Sequence, residues 1–434
     1  MTTSLPRIGF AGMTHLGLNS AAASAEKGFE TLCFDPDAAL IGRLRVGVLP
    51  VEEPDLGALL TKHAGRIEFT SDAAAMQRCD VVYVAPDVPT DDHGESDFTA
   101  IEALLQLAVA HAATSATLVV LSQVPPGFTR RHMAPSRQLF YQVETLIFGR
   151  AVERALFPER IIIGCADPKA ALPDAYHNYL NAFDCPLLPM RLESAELAKI
   201  SINCCLVASI STANTLAAIC EGIGADWSEI APALKLDKRI GEHAYLKPGL
   251  GIAGGNLERD LHTVIELGRA AAADVSVVEA WGRNSRRRRD WVLGKLHAHV
   301  FPKKDKARIC VLGLAYKENT HSTKNSPGLA LVHHLAPFQP VVYDPVVPPD
   351  AIDGMDVRVA ASAMLGVKNA DALAIMTPWD EFTLLDPQAL RNEMAGNVIV
   401  DPYAVLDGAD CISAGFQYHT LGKSMSRPDE ARNQ

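Results

Sequence analysis

Short apolar runs alternate with longer stretches of helical spacing through the first third of the chain. RIGFAG (7–12) reads as a short apolar strand and HLGLNSAAASAEKG (15–28) as a helix ending at Gly28. ETLCFD (30–35) is a second strand, closed by Asp35 and Pro36, and DVVYVAP (80–86) and ATLVVLS (116–122) are further buried strands. Buried strands separated by helices predict a parallel, doubly wound sheet. The middle has a different rhythm: one unbroken helical pattern from about Ser194 to Ile223, and another over about Asp260 to Val300. FPKKDK (301–306) punctuates the chain, after which strands resume as RICVLGLAY (308–316), PVVYDP (340–345), DALAIMT (371–377) and NVIVD (397–401). The expected architecture is α/β, with two sheet domains, 1–190 and 301–434, joined by a helical middle, 191–300, that contains a long central helix.

The 434-residue length agrees, being too great for one ordinary core. With 48% hydrophobic and 21% charged residues the chain is soluble and globular, and a net charge of −11 argues against a general nucleic-acid binder. The nine cysteines lack CxxC pairs or regular spacing, which fits buried thiols in a reducing cytoplasm and gives no metal-ligand pattern. The N-terminus carries no long apolar run before a cleavage site, so no signal peptide is expected, and RPDEARNQ (427–434) reads as a frayed tail. Ser201 to Cys220 holds no charge and is long enough to span a bilayer, but its Asn203, Asn214 and several Ser and Thr point to a helix buried in a core or a dimer interface. No membrane or nucleic-acid partner is expected.

GFAGMTHLG (9–17) joins the first strand to the first helix. A dinucleotide-binding turn carries G-x-G-x-x-G there, so that the backbone can approach a pyrophosphate at a helix N-terminus. Here the pattern is Gly12-x-Thr14-x-x-Gly17, without the middle glycine. The strand before it, the helix after it and Asp35 ending the second strand about 20 residues on favour a cofactor site over a plain tight turn. An acid at Asp35 accepts ribose hydroxyls and repels a 2′-phosphate, so NAD is expected rather than NADP.

Further phrases, in order along nearly the whole chain, resemble the UDP-glucose and GDP-mannose dehydrogenase family. They are LRVGVLPVEEPDLGALL, DVVYVAPDVPT, LSQVPPGFT, FPERIIIG, AELAKISIN, DKRIGEHAYLKPGLG, VLGLAYKENT and YDP. The resemblance implies two Rossmann-like domains, the first binding NAD and the last a nucleotide sugar, joined by a long central helix in a dimer. It also implies oxidation of a sugar primary alcohol to the acid with two NAD, through a thiohemiacetal and a thioester on a cysteine. That cysteine lies in a glycine loop of the form Gly-Phe-Gly-Gly-Ser-Cys-Phe-x-Lys-Asp. Laid on GLGIAGGNLERD (249–260), the family loop pairs Asp260 with its Asp, Arg259 with its Lys, and Asn256 with the cysteine. Gly254 and Gly255 then let the loop approach the substrate.

Residue by residue, the resemblance makes Lys199 and Asn203, four apart on one helix face, hydrogen-bond donors to the reacting oxygen. Asp260 orients a water or accepts a proton, unless it only serves the helix dipole. Glu144 in QVETLIFG matches a family Glu, with Phe148 in place of a second one; Gln123 replaces a Thr near the nicotinamide and a catalytic water. Arg239 matches an arginine that reaches the neighbouring subunit's sugar site, and Lys317 a lysine on the nucleotide. Lys324 stands for an arginine on the cofactor side and Tyr403 for another in an Asp-Gly-Arg phrase. Arg286 to Arg289 read as a solvated face, and Cys204 and Cys205 as buried structural thiols. The expected activity is a two-electron, NAD-dependent oxidation of a carbinol of a UDP-hexose-like sugar in a homodimer. The alternatives are an inactive nucleotide-sugar binder and an epimerase-like enzyme that recycles its NAD.

Overall fold

The computed structural model describes residues 5–91, 95–134 and 137–424; RPDEARNQ lies outside them. The chain divides into two compact units, one up to Ile202 and one from Asn203 on. The first holds eight strands: β1 (Ile8–Ala11), β2 (Thr31–Phe34), β3 (Ile67–Thr70), β4 (Val81–Val84), β5 (Thr117–Val120), β6 (Gln138–Gln142), β7 (Ile161–Cys165) and β8 (Leu187–Arg191). They form one sheet in the order β3-β2-β1-β4-β5-β6-β7-β8, parallel except between β6 and β7. The second unit holds β9 (Ile309–Leu312), β10 (Val341–Tyr343), β11 (Arg358–Val359), β12 (Ala372–Ile375), β13 (Val398–Val400) and β14 (Gln417–His419), in the order β11-β10-β9-β12-β13-β14 and parallel throughout. The first six strands of each sheet therefore share one order, with its reversal beside the first strand, where open α/β sheets bind ligands.

The apolar runs become strands because both of their faces are covered: every residue of β1, β2, β4, β5, β9 and β12 is buried. Each sheet opens with the same device. Gly12 (φ +103°) and Gly313 (φ +96°) adopt left-handed backbone that glycine alone enters without cost. Gly17 and Gly328 let the following helix lie against the turn, since an added Cβ would sit 1.8 Å from the Gly12 carbonyl oxygen and 2.6 Å from that of Gly313.

The long helix runs from Leu192 to Ile223, close to its expected bounds. It is long and apolar enough to cross a membrane, yet its polar residues turn to protein partners. The buried Glu196 accepts the Gly127 and Thr129 amides at 2.5 and 2.8 Å, and Asn214 accepts the Gly249 amide at 2.8 Å. The single helix expected over Asp260 to Val300 is instead three, Asn256–Ala270, Ser276–Arg289 and Trp291–His299. Ala272 turns left-handed (φ +56°) between the first two, and their apolar spacing alone does not reveal the break. The arginine run is not a uniformly solvated face: Arg288 is buried against Glu221 at 3.2 Å, and Arg289 pairs with Glu258 at 3.0 Å. Glu221 also takes the Trp291 indole N–H at 2.8 Å and Lys295 at 3.2 Å, so the charge is spent inside the second unit.

Because the Gly17 contact leaves no room for a methyl group, Gly17→Ala is expected to lower stability by about 1–3 kcal/mol, the usual overpacking cost, and to abolish NAD binding. Urea denaturation and NAD titration test this; unchanged stability would show that the helix can move off the turn freely.

Candidate active site

In the first unit the turn after β1 has the strand–glycine–helix form of a dinucleotide turn. Thr14 occupies the N-cap position of helix His15–Glu26 but does not cap it with its side chain. Its hydroxyl instead accepts the Asp87 amide at 2.8 Å, on the segment after β4. The Asp87 carboxyl in turn accepts the Leu16 amide in the first turn of the same helix, so the chain's own acid already meets part of the helix N-terminus. Asp35, ending β2, accepts the Met13 amide at 2.8 Å and the Asp37 amide at 3.0 Å. These bonds use only part of a carboxylate's acceptor capacity, so Asp35 shapes the turn and can still receive ribose hydroxyls. Gln123 is half-buried just after β5.

The segment after β6 carries Glu144. Its Oε2 lies 3.3 Å from Lys199 Nζ, an ion pair with both side chains more than four-fifths buried, and its other oxygen accepts the Leu146 amide. The far end of this segment is held by a residue that the sequence did not single out. Glu53, its side chain fully buried, accepts from Gly149 N at 3.1 Å and Ala151 N at 2.8 Å and pairs with His15 Nε2 at 2.8 Å. Phe148 stacks on the His15 ring at 4.0 Å. Glu53 thus ties the start of helix His15–Glu26 to the loop bearing Glu144. Its only sequence signal is an acid in the otherwise ordinary VEEP, and burial is not visible there.

In the second unit Asn203 donates through Nδ2 to Asp260 Oδ2 at 2.5 Å, and Arg259 Nε lies 3.3 Å from Asp260 Oδ1. All three are buried, Asp260 to 1% exposure. A carboxyl group so deep requires such partners, so Asp260 is fixed by more than a helix dipole. Lys199 and Asn203 stand four apart on the one uninterrupted helix and leave the same face of it.

The glycine loop serves the chain's own packing as well as any ligand. Gly251 (φ +86°) lies so close to Ser285 that a Cβ would meet its carbonyl oxygen at 2.5 Å, and Gly254 (φ +78°) lies against the Tyr316 ring. Gly255 occupies the N-cap position of helix Asn256–Ala270, and Asn256, its first residue, is exposed. Gly254 N donates to the Lys324 carbonyl at 3.1 Å, and Asn325 Nδ2 to the Gly254 carbonyl at 2.9 Å and to Glu258. The link between Asn325 and Glu258 escaped the sequence reading because it crosses 67 residues.

Lys317 and Lys324 are half-buried on the segment after β9, with Lys317 Nζ 5.7 Å from the Tyr316 ring centre. Tyr403 lines a pocket of about 390 Å³ with Trp227, Leu246 and Pro248, and with Lys235, Lys247 and Lys423. Arg239 is 89% exposed and paired with Asp237 at 2.5 Å. Among the described residues no cluster of His, Cys, Asp or Glu could hold a metal ion.

The strand order and the glycine turn place the first unit among dinucleotide-binding α/β folds. Three stretches match the models of the UDP-glucose/GDP-mannose dehydrogenase family: residues 6–180 its NAD binding domain, 193–286 its central domain and 310–408 its UDP binding domain. The chain is 30% identical to the UDP-glucose 6-dehydrogenase TuaD of Bacillus subtilis, over 98% of this chain and 95% of that one. Among solved structures, a UDP-glucose dehydrogenase from Pyrobaculum islandicum superposes with a TM-score of 0.82 at 25% identity, covering 94% and 97% of the two chains. A UDP-D-ManNAc dehydrogenase from Pyrococcus horikoshii shares the fold, with a TM-score of 0.82 at 23% identity over 98% and 100%. The chain belongs to the UDP-glucose/GDP-mannose dehydrogenase family. It is an NAD-dependent oxidoreductase of the nucleotide-sugar dehydrogenase type, acting on a CH–OH group.

The two cysteines beside Asn203 differ. Cys205 is exposed, against the expectation of a buried structural thiol. Cys204 is half-buried, and burial together with the nearby Asp260 carboxylate pushes its thiol up to about 11. A thiol with so high a pKa is almost wholly protonated at neutral pH and is a poor nucleophile. Iodoacetamide at pH 8 is expected to alkylate Cys205 and spare Cys204, as read by peptide mass mapping; rapid labelling of Cys204 would mark it as a candidate nucleophile after all.

Proposed function

We propose that this enzyme oxidises a carbinol of a UDP-hexose-like nucleotide sugar by two electrons and stops at the carbonyl. The observation that carries the reading is Asn256, exposed at the helix start where the family resemblance expects the cysteine. An amide is no useful nucleophile at neutral pH, so no thioester forms there, and the positioning that a covalent intermediate would give a second oxidation is lost. Phe148 and Gln123 point the same way, since the resemblance expects a second Glu at one and a Thr beside the hydrolytic water at the other.

What remains suits one hydride transfer. The Gly12 turn, Thr14, Gly17 and Asp35 hold NAD, with Gln123 and Lys324 on the cofactor side. NAD supplies the hydride acceptor. Oxidation removes a hydride and a proton from the carbinol and leaves C=O. Lys199 Nζ and Asn203 Nδ2 donate to the oxygen as it gains negative charge. One Asn203 amide hydrogen is committed to Asp260, which fixes the direction of the other. Asp260 and Glu144 are the carboxylates available for the proton. Asn256 hydrogen-bonds a sugar hydroxyl or the carbonyl formed, in a loop that Gly254 and Gly255 keep open. Lys317 serves the nucleotide.

The central helix supports a homodimer. Thr212, Leu216, Ile219 and Ile223 recur at intervals of four, three and four, and all are exposed. Such a stripe suits a facing helix of a second copy, and in this reading Arg239 reaches the sugar site of that copy. Light scattering is expected to give twice the mass of the chain; a monomer at working concentration would remove both statements.

Incubation of UDP- and GDP-hexoses with NAD, with NADH counted against product by mass, tests the chemistry. About one NADH per sugar and a carbonyl product are expected. Two NADH per sugar with released uronic acid, at roughly 1 per second or more, would refute the reading. Binding of both ligands without NADH or tritium exchange at a sugar carbon would make the protein an inactive binder, and exchange without net NADH an epimerase. Asn256→Cys should yield a trapped adduct or some uronate.

A further inference from the structure

We propose that Asn325 is a positioning residue that couples the lysine-bearing segment after β9 to the loop that presents Asn256. The two sheets connect their first strand to the next helix very differently. In the first unit only residues 12–14 lie between β1 and helix His15–Glu26; in the second, residues 313–326 lie between β9 and helix Pro327–His334. This longer segment folds back on itself, Tyr316 N donating to the Ser322 carbonyl at 3.0 Å. It carries Lys317 and Lys324 and ends on the Gly254 peptide.

That peptide is held from both sides. Its N–H goes to the Lys324 carbonyl at 3.1 Å, and its carbonyl accepts from Asn325 Nδ2 at 2.9 Å. The same Nδ2 donates to Glu258, whose other oxygen pairs with Arg289 at 3.0 Å. Both hydrogens of one amide are thereby committed, one two residues before Asn256 and one two residues after it. Asn325 does this from left-handed backbone (φ +52°), a conformation asparagine enters more readily than most residues. A ligand that orders the Lys317–Lys324 segment therefore also fixes Asn256, because the two segments share these bonds. The identity of that ligand, a nucleoside diphosphate, rests on the function proposed above; the grip of Asn325 on the loop does not.

Asn325→Gly in the full-length protein keeps the left-handed backbone accessible and removes the amide. Amide hydrogen exchange followed by mass spectrometry, with and without UDP, reads the consequence. Without ligand, residues 252–260 should exchange at least about tenfold faster in the variant, as the loss of the two Asn325 hydrogen bonds implies, with exchange elsewhere unchanged. With UDP, the unaltered protein should gain protection in both 314–326 and 252–260, and the variant in 314–326 with much less in 252–260, where only the Gly254 N–H to Lys324 carbonyl bond still joins the segments. If UDP protects 314–326 while residues 252–260 of the variant behave as in the unaltered protein, the coupling is overturned and the nucleotide reading stands. If UDP protects neither segment of the unaltered protein, the coupling falls together with that reading.

Discussion

The hydrogen bond from Asn203 to Asp260 is the constraint on which the candidate chemistry depends. It joins the central helix to the helix that follows the glycine loop, at 2.5 Å and out of contact with water. A carboxylate with 1% of its surface exposed would be costly if its oxygens were unmet. Asn203 and Arg259 meet them, and in doing so they settle the rotamer of each group. The Asn203 amide then has one hydrogen left in a fixed direction, and Asn256, four residues before Asp260, is held relative to it by the first turn of the same helix. If Asp260 were free to rotate, neither donor direction would be defined.

The two sheets show how one strand order supports two uses. In the first, a turn of three residues leads directly into the helix, with Asp35 bracing the turn from the end of β2. In the second, Asp344 holds the Leu314 amide in the matching way, at 2.7 Å. There the connection has lengthened into a segment bonded to the Gly254 peptide. Gly313 and Gly328 repeat the close packing of Gly12 and Gly17, so the sheet and first helix are alike while the functional stretch between them differs. Such variation is tolerated because connections lie outside the hydrogen-bonded core.

Much of this was legible in the amino-acid order. Strands covered on both faces leave continuous apolar runs, and β1, β2, β4, β5, β9, β10, β12 and β13 fall within the stretches that predicted them. β7 (IIIGC, fully buried) lies in FPERIIIG, which only the family resemblance singled out; other strands are less regular, β3 reading IEFT and β8 LLPMR, neither an apolar run, and β11 being two exposed residues long. The spacing of Lys199 and Asn203 gave their shared helix face, because helical periodicity acts within a few residues. The partners of those residues lay beyond its reach. Asn203 to Asp260 spans 57 residues and Glu53 to Gly149 spans 96, and only folding brings such groups together. Thr14 was legible as an anomaly in the glycine turn, but its direction was not; the structure shows the hydroxyl bonded to the Asp87 amide. The arginine run misled because burial of Arg288 depends on Glu221, 67 residues away.

The central claim is that oxidation ends at a carbonyl because Asn256 offers no thiol. The most direct measurement is chemical: quench a turnover of nucleotide sugar and NAD, reduce the mixture with borodeuteride, and weigh the recovered nucleotide sugar. A carbonyl product returns as the starting sugar, or its epimer, carrying one deuterium at the oxidised carbon. A product that resists borodeuteride and keeps the mass of a carboxylate would contradict the account, because it would show that the second oxidation proceeds without a nucleophile at residue 256.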